Sequence, residues 1–369
     1  MPEPIPAPPP SGARHPLPWL AAIAAVVGVV ALAFAWVAGW LAPDRLTPAR
    51  FTNAIQAANG EVFKGFRRAH AKGVCVSGYF EASGEGTALS TATVLARGRT
   101  PLTGRMSIGG GTPYGLDAAA RVRSMALRLV DTEGDEWRMA MNSFPFFGSA
   151  SARDFYEQTL AARPDPATGK PDPAKQAAFV AAHPAAQRFA AWAKAEPWST
   201  SWASTAYNSV NTFHFVDADV AVHNVRWSMK PQARFVAMAP AQRKSADADY
   251  LAEELARRLA AGPARWDMIV TVAGAGDDSS DPSTPWPDDR RKVNVGTVVI
   301  EQSGPQATGA CRDLNFDPLI LPPGVERSDD AILAARSAVY STSFNRRQRD
   351  IAEGDASAAT GEAAGEDAR

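Results

Sequence analysis

From Trp19 to Ala42 the chain runs for twenty-four residues without a charged side chain, and no other feature limits its architecture as strongly. A helix rising ~1.5 Å per residue over that length crosses the ~30 Å hydrocarbon core of a bilayer with some tilt. Trp19 at one end and Trp36 and Trp40 at the other suit the interfacial aromatic belts, and Pro18 and Pro43 bracket the run. A secretory leader has an apolar region of only about 7–15 residues and then a small-residue cleavage site. The run is therefore read as an uncleaved membrane span over residues 19–42. It is apolar on every face, unlike a core helix with one buried stripe. Residues 1–18 contain Pro2, Pro4, Pro6, Pro8, Pro9, Pro10, Pro16 and Pro18, a composition that stays extended and solvated as a tail. Arg14 precedes the span and Arg45 and Arg50 follow it, so basic residues nearly balance. A short tail with little charge is easily left inside, and the expected arrangement is a bacterial inner-membrane anchor with the domain outside the cytoplasm.

The rest of the chain has the composition of a globular domain: 46% of the 369 residues are hydrophobic and 21% charged, enough to bury a core. Lys plus Arg (38) against Asp plus Glu (39) leaves a formal charge of -1, so no basic surplus points to nucleic acid as a partner. Cys75 and Cys311 form no CxxC and no cluster with histidine, which excludes a zinc module or a multi-bridge scaffold. Isolated cysteines more often bury as small apolar side chains. An oxidising compartment would allow a bridge, but none is predicted.

Strand-like runs occur at 73–82, 102–108, 122–131 and 136–142, helical patterns at 48–67, 151–162 and 172–195, and strands again at 212–216, 221–229, 265–273 and 295–302. A helix over 245–261 interrupts the second set. Four strands, helices, then four strands predict an α+β fold, an eight-stranded antiparallel β-barrel with flanking helices, over residues 47–350. Beyond 351 the Ala/Gly/Asp/Glu-rich sequence predicts a disordered tail.

A final helix begins near Asp329, with Ser328 as its expected cap. On it Arg336, Tyr340 and Arg347 stand at i, i+4 and i+11 and lie within about 40° of one another. An Arg one turn from a Tyr favours the phenolate by charge and hydrogen bonding, and a phenolate can bind ferric haem axially. The same spacing also suits a core Tyr beside a surface Arg, and the helix alone leaves both readings open.

A second segment is Phe66-Arg67-Arg68-Ala69-His70-Ala71-Lys72-Gly73, leading into Gly78-Tyr79-Phe80-Glu81. This segment resembles the distal-histidine region of haem catalases. Further matches follow in order: Arg105-Met106-Ser107 is similar to the family's Arg-Phe-Ser, and Asn142-Ser143-Phe144-Pro145-Phe146-Phe147 to its Asn-Asn-Thr-Pro-x-Phe. Trp286-Pro287, Val295-Gly296 and Leu321-Pro322-Pro323-Gly324-Val325-Glu326 resemble the end of the family's barrel and the approach to its Tyr helix. The resemblance covers residues 50–350 and is nearest to the small catalase-related peroxidases.

It implies a haem b cofactor with Tyr340 as proximal iron ligand, held as phenolate by Arg336. His70 would be general base and then acid, Asn142 would orient peroxide, and Ser107 would fix the His70 tautomer. Arg67, Arg105 and Arg347 would pair the haem propionates, and Phe147 and Phe155 would wall the distal pocket. Without such a group these residues would leave a barrel interior oddly polar. The implied activity is reduction of hydrogen peroxide or an organic hydroperoxide by an unidentified reductant. A strict catalase, or a non-enzymatic membrane-tethered barrel binding haem or an apolar ligand, are the alternatives. The stretch Ala120 to Leu129 lacks the family's Asp-x-Arg-Gly, and Met106 replaces its usual Phe. The extensions that narrow the channel of large catalases are not seen, which implies a more accessible haem edge, and no segment suggests NADPH binding.

Overall fold

The computed structural model describes residues 17–42 and 44–354. Two compact units divide the chain, residues 1–47 and 48–369. In the first, α1 (Leu17–Val37) has no buried residue and is, among the described residues, the one helix long and apolar enough to cross a membrane. It stops short of Ala42 because Gly39, at φ 80°, turns the chain left-handed. The Trp40 N–H then donates to Ala35 O at 2.9 Å and the Gly39 N–H to Trp36 O at 3.0 Å, which satisfies carbonyls that the last helical turn leaves free. Most of the Pro-rich tail, residues 1–16, and most of the acidic tail, residues 355–369, lie outside the described residues.

The second unit begins with α2 (Pro48–Ala58), followed by β1 (Gly73–Ala82), β2 (Gly98–Ile108), β3 (Arg123–Val130) and β4 (Glu136–Asn142). Three helices come next: α3 (Ala152–Ala161), α4 (Pro173–Ala182) and α5 (Pro184–Ala195). Then β5 (Tyr207–Asn208), β6 (Phe213–Val216) and β7 (Val222–Pro231) lead to α6 (Pro240–Ser245) and α7 (Tyr250–Ala261). The last elements are β8 (Ala264–Val272), β9 (Lys292–Pro305), β10 (Val325–Arg327) and α8 (Ala331–Ala352).

All the strand pairs are antiparallel, and the β7–β8 pairing closes the sheet into a barrel. The short β5 and β6 share one edge of β7, at Met229–Ser228 and Val225–Val222, so they are two pieces of one strand position. Val210, between them, has φ 65°. With β10 hanging on β6 alone, the ring has the eight positions that the sequence predicts. The sequence pattern missed β5 and β10 because pieces of two and three residues carry no period. It overran α2, which ends at Ala58 before Asn59 and Gly60 (φ 82°). The cap of α8 is Asp330, whose Oδ1 accepts from the N–H groups of Ile332 (2.8 Å) and Leu333 (3.2 Å); Ser328 instead donates to Thr212 O at 2.7 Å.

Side-chain alternation assigns the two faces of the barrel wall. Met106, Met125, Leu127, Met139, Met141, Trp137 and Trp227 are buried and join one apolar cluster that fills the interior. Their neighbours along β2, β3 and β4, including Arg105, Ser107, Ser124 and Asn142, point outward. The expectation of a polar barrel interior is thereby corrected: the interior is apolar, and the polar residues face outward toward the layer of α2, α3 and α8.

On that outer face Cys75 and Cys311 are joined in a disulfide with Cα atoms 5.3 Å apart, although the sequence reading did not predict a bridge. It fastens the loop after β9 to β1, and Gly309 makes room for it, since a Cβ there would lie 2.6 Å from Cys75 Sγ. The bond closes a loop of 236 residues, and such cross-links stabilise by restricting the unfolded chain, typically by about 2–5 kcal/mol. Replacing both cysteines by serine should lower stability by about that amount in denaturant titration. An unchanged midpoint would show that the loop is held by its other contacts.

Candidate active site

A cavity of about 530 Å³ lies between the outer face of β2, β3 and β4 and helices α2, α3 and α8. Every site residue expected from the sequence lines it: Arg67, His70, Arg105, Ser107, Asn142, Phe147, Phe155, Arg336, Tyr340 and Arg347. Strand register explains how distant segments meet. Ser107 pairs with Ser124 across β2–β3, and Ser124 with Asn142 across β3–β4, so three polar side chains form one row. Asn208 continues it, paired with Asn142, and accepts from Ser228 Oγ at 2.8 Å.

His70 precedes β1 in the left-handed region, φ 54°, a conformation that costs a non-glycine residue energy and recurs at functional sites. Its Nδ1 lies 3.1 Å from Ser124 Oγ, and Ser124 Oγ donates to Asn142 Oδ1 at 2.6 Å. The residue at Nδ1 is therefore Ser124, where the resemblance had assigned Ser107, one strand away. Nothing in the periodicity singles out Ser124. The tight turn at Asp131–Asp135 places Ser124 opposite Asn142, since Val130 pairs with Glu136, but its approach to His70 is set by the fold.

Aromatic rings wall the cavity. Phe147 and Phe155 meet edge to face with centroids 5.0 Å apart, Phe51 adds to Phe155 at 5.3 Å, and Phe144 links Phe147 (6.0 Å) to Phe189 (5.4 Å). Tyr340 packs beside the disulfide and Phe316. The Arg336 guanidinium is 5.9 Å from the Tyr340 ring centre, but its hydrogen bonds go to Asn211 Oδ1 and, at 2.8 Å, to Ala140 O. Asn211 in turn donates to Asp330 Oδ2 at 2.6 Å, so one chain of contacts fixes both Arg336 and the start of α8.

Three further guanidiniums line the same cavity as Tyr340. Arg67 donates to the carbonyls of Cys311 (2.9 Å), Arg312 (3.3 Å) and Leu314 (2.9 Å), the loop held by the disulfide. Arg105 donates to Gln306 Oε1 at 2.6 Å and Ala71 O at 3.1 Å. Arg347 is buried, and its Nε and Nη2 have no hydrogen-bond partner. Among the described residues none of the three has a carboxylate within ion-pair distance. Burial and mutual repulsion push Arg67 well down from its usual value; burial, then Arg347, brings Arg105 to about 9, and burial brings Arg347 to about 10. Such a cluster is complementary to an anionic ligand with paired acceptor groups.

Burial, then the Arg105 and Arg336 charges, push the His70 imidazole down from 6.5 to about 4, although its edge stays accessible through the cavity. The ring is thus neutral at physiological pH and available as a proton acceptor. The unfolded chain binds the proton more readily between these values, so the contribution of His70 to stability is full above pH 6.5 and is lost as pH falls through 4. A proton NMR titration of the ring should show a midpoint near 4. A midpoint at the unperturbed value would contradict the buried, cation-flanked placement.

The model of the catalase family matches residues 46–350. The chain is 35% identical over 332 residues to a catalase-related peroxidase of Synechococcus elongatus, covering 90% of this chain and 96% of the relative. It is 31% identical over 303 residues to a catalase-related peroxidase of Mycolicibacterium paratuberculosis, covering 82% and 95%. Among solved structures, a bacterial catalase superposes with a TM-score of 0.69 at 22% identity, over 76% of this chain and 57% of that one. This last likeness concerns the fold, and the family match spans the barrel, the cavity and α8 together. The chain belongs to the catalase family.

Proposed function

We propose that this chain is a haem b peroxidase that reduces hydrogen peroxide or an organic hydroperoxide with electrons from a separate reductant. One observation carries the reading: a phenol-bearing helix, an uncharged imidazole and three guanidiniums that form no ion pair among the described residues line a single cavity. The cofactor belongs to the family, and the residues present fit it. Tyr340 supplies the oxygen ligand that an oxidised iron prefers. Arg67, Arg105 and Arg347 supply cations for two propionates, with the free Nε and Nη2 of Arg347 as ready donors. Cys75 and Cys311 are bonded to each other, so neither is available for covalent attachment of a haem, which favours haem b. When bound, the haem supplies the redox chemistry of peroxide reduction.

The side chains provide the proton handling and the enclosure. His70, neutral at its placement, takes a proton from the incoming peroxide and returns it to the departing oxygen. Asn142, whose Oδ1 is engaged by Ser124, keeps its amide N–H groups to orient the peroxide. Phe51, Phe147 and Phe155 exclude water from one wall. The relatives named as catalase-related peroxidases favour peroxidase over catalase turnover as the main activity.

Purified, haem-loaded protein should oxidise a phenolic donor faster than it evolves oxygen from hydrogen peroxide. Tyr340→Phe should lose the ferric haem spectrum, and His70→Ala should keep haem but react with peroxide about 10²- to 10⁴-fold more slowly. Rapid oxygen release without donor oxidation would establish the strict catalase instead, and an undisturbed spectrum in Tyr340→Phe would refute the ligand assignment.

The same reading includes an anchor: α1 as an uncleaved membrane span with the domain outside the cytoplasm. The buried disulfide supports that side, because such bonds persist in oxidising compartments and are rare in the cytosol. A topology reporter fused after Arg369 should be active only outside the cytoplasm. Activity confined to the cytoplasm reverses the orientation.

A further inference from the structure

We infer that Ser124 is a positioning residue that sets both the His70 tautomer and the orientation of the Asn142 amide with one hydroxyl proton. The inference rests on the reading of His70 and Asn142 as the proton-handling and orienting groups. Ser124 Oγ stands between them, 2.6 Å from Asn142 Oδ1 and 3.1 Å from His70 Nδ1. A hydroxyl has one proton to donate and lone pairs to accept with. Asn142 Oδ1 can only accept, so the Ser124 proton goes there. What remains toward His70 is a lone pair, which a ring N–H must fill. Nδ1 therefore carries the proton, and Nε2 keeps the unshared pair that a base needs.

The same bond acts on the amide. With Oδ1 tied to Ser124, the Asn142 NH₂ turns away from it and is left as the donor. Backbone register holds all of this in place, since Ser124 and Asn142 are directly paired on β3 and β4, with Ser124 buried and Asn142 half-buried. The Ile108 backbone also hydrogen-bonds the His70 ring, so removing Ser124 leaves that carbonyl as the remaining partner for a ring proton. Arg105, Arg336 and Arg67 are the charges around the imidazole; all are cations and none accepts its proton.

The test reads the tautomer directly in the protein without haem. Nitrogen NMR of histidine-labelled protein, with the His70 signals assigned by loss in His70→Gln, should show Nδ1 protonated and Nε2 unprotonated. Ser124→Ala should shift His70 toward a mixture of tautomers, and Ser124→Thr, which keeps the oxygen, should restore it. A purely structural role would not produce that pattern. The wild-type spectrum alone is decisive if a variant fails to fold: a protonated Nε2 there overturns the inference, as does an unmoved tautomer in folded Ser124→Ala. In haem-loaded protein Ser124→Ala should slow the reaction with peroxide about 10- to 100-fold, the usual cost of losing an orienting partner. A shifted tautomer with an unchanged rate supports the role of Ser124 and removes His70 from the proposed mechanism, so the two failures are distinguishable.

Discussion

The site depends on the closure of the barrel. Once β7 pairs with β8 the sheet has no free edge there, and its interior must be filled by side chains. Met106, Met125, Leu127, Met139, Met141 and Trp137 fill it. Since successive residues of a strand alternate between faces, the residues between them are committed to the outside. Arg105, Ser107, Ser124 and Asn142 are those residues, so the apolar core and the polar site are two readings of the same strands. A slip of one residue in β3 would place Ser124 in the core and Met125 against the imidazole.

The opposite wall depends on a different kind of restraint. Helix α8 presents Arg336, Tyr340 and Arg347 to the cavity, and its start is fixed by Asp330 through Asn211. The loop that receives Arg67 is held at Cys311 by the disulfide, and Phe316 and Tyr340 pack beside that bond. Gathering three guanidiniums with no ion-paired carboxylate among the described residues is unfavourable for folding, because each loses hydration and they repel one another. Strands, helix and cross-link together hold them where a dianionic ligand would turn that cost into binding energy.

Much of this was legible in the residues. The period of two gave β1, β3 and β4 to within a residue or two, and the helical spacing of Arg336, Tyr340 and Arg347 put three cavity residues on one face. The pieces that escaped were short or non-local. β5 and β10 have too few residues for a period, and the Asp330 cap was masked by a plausible serine two positions earlier. The disulfide joins residues 236 apart, and nothing local reports their separation.

The sequence by itself determined the apolar span near the N-terminus, the strand and helix periods, and the residue types that carry the chemistry, because these follow from local order along the chain. Tertiary structure alone decided which face of the barrel bears the site and which serine meets His70. Both are questions of register and closure: they depend on which strand lies beside which, and Ser107 and Ser124 differ in neither chemistry nor local pattern. Their roles separate only when β2, β3 and β4 pair and one hydroxyl comes to lie 3.1 Å from the imidazole.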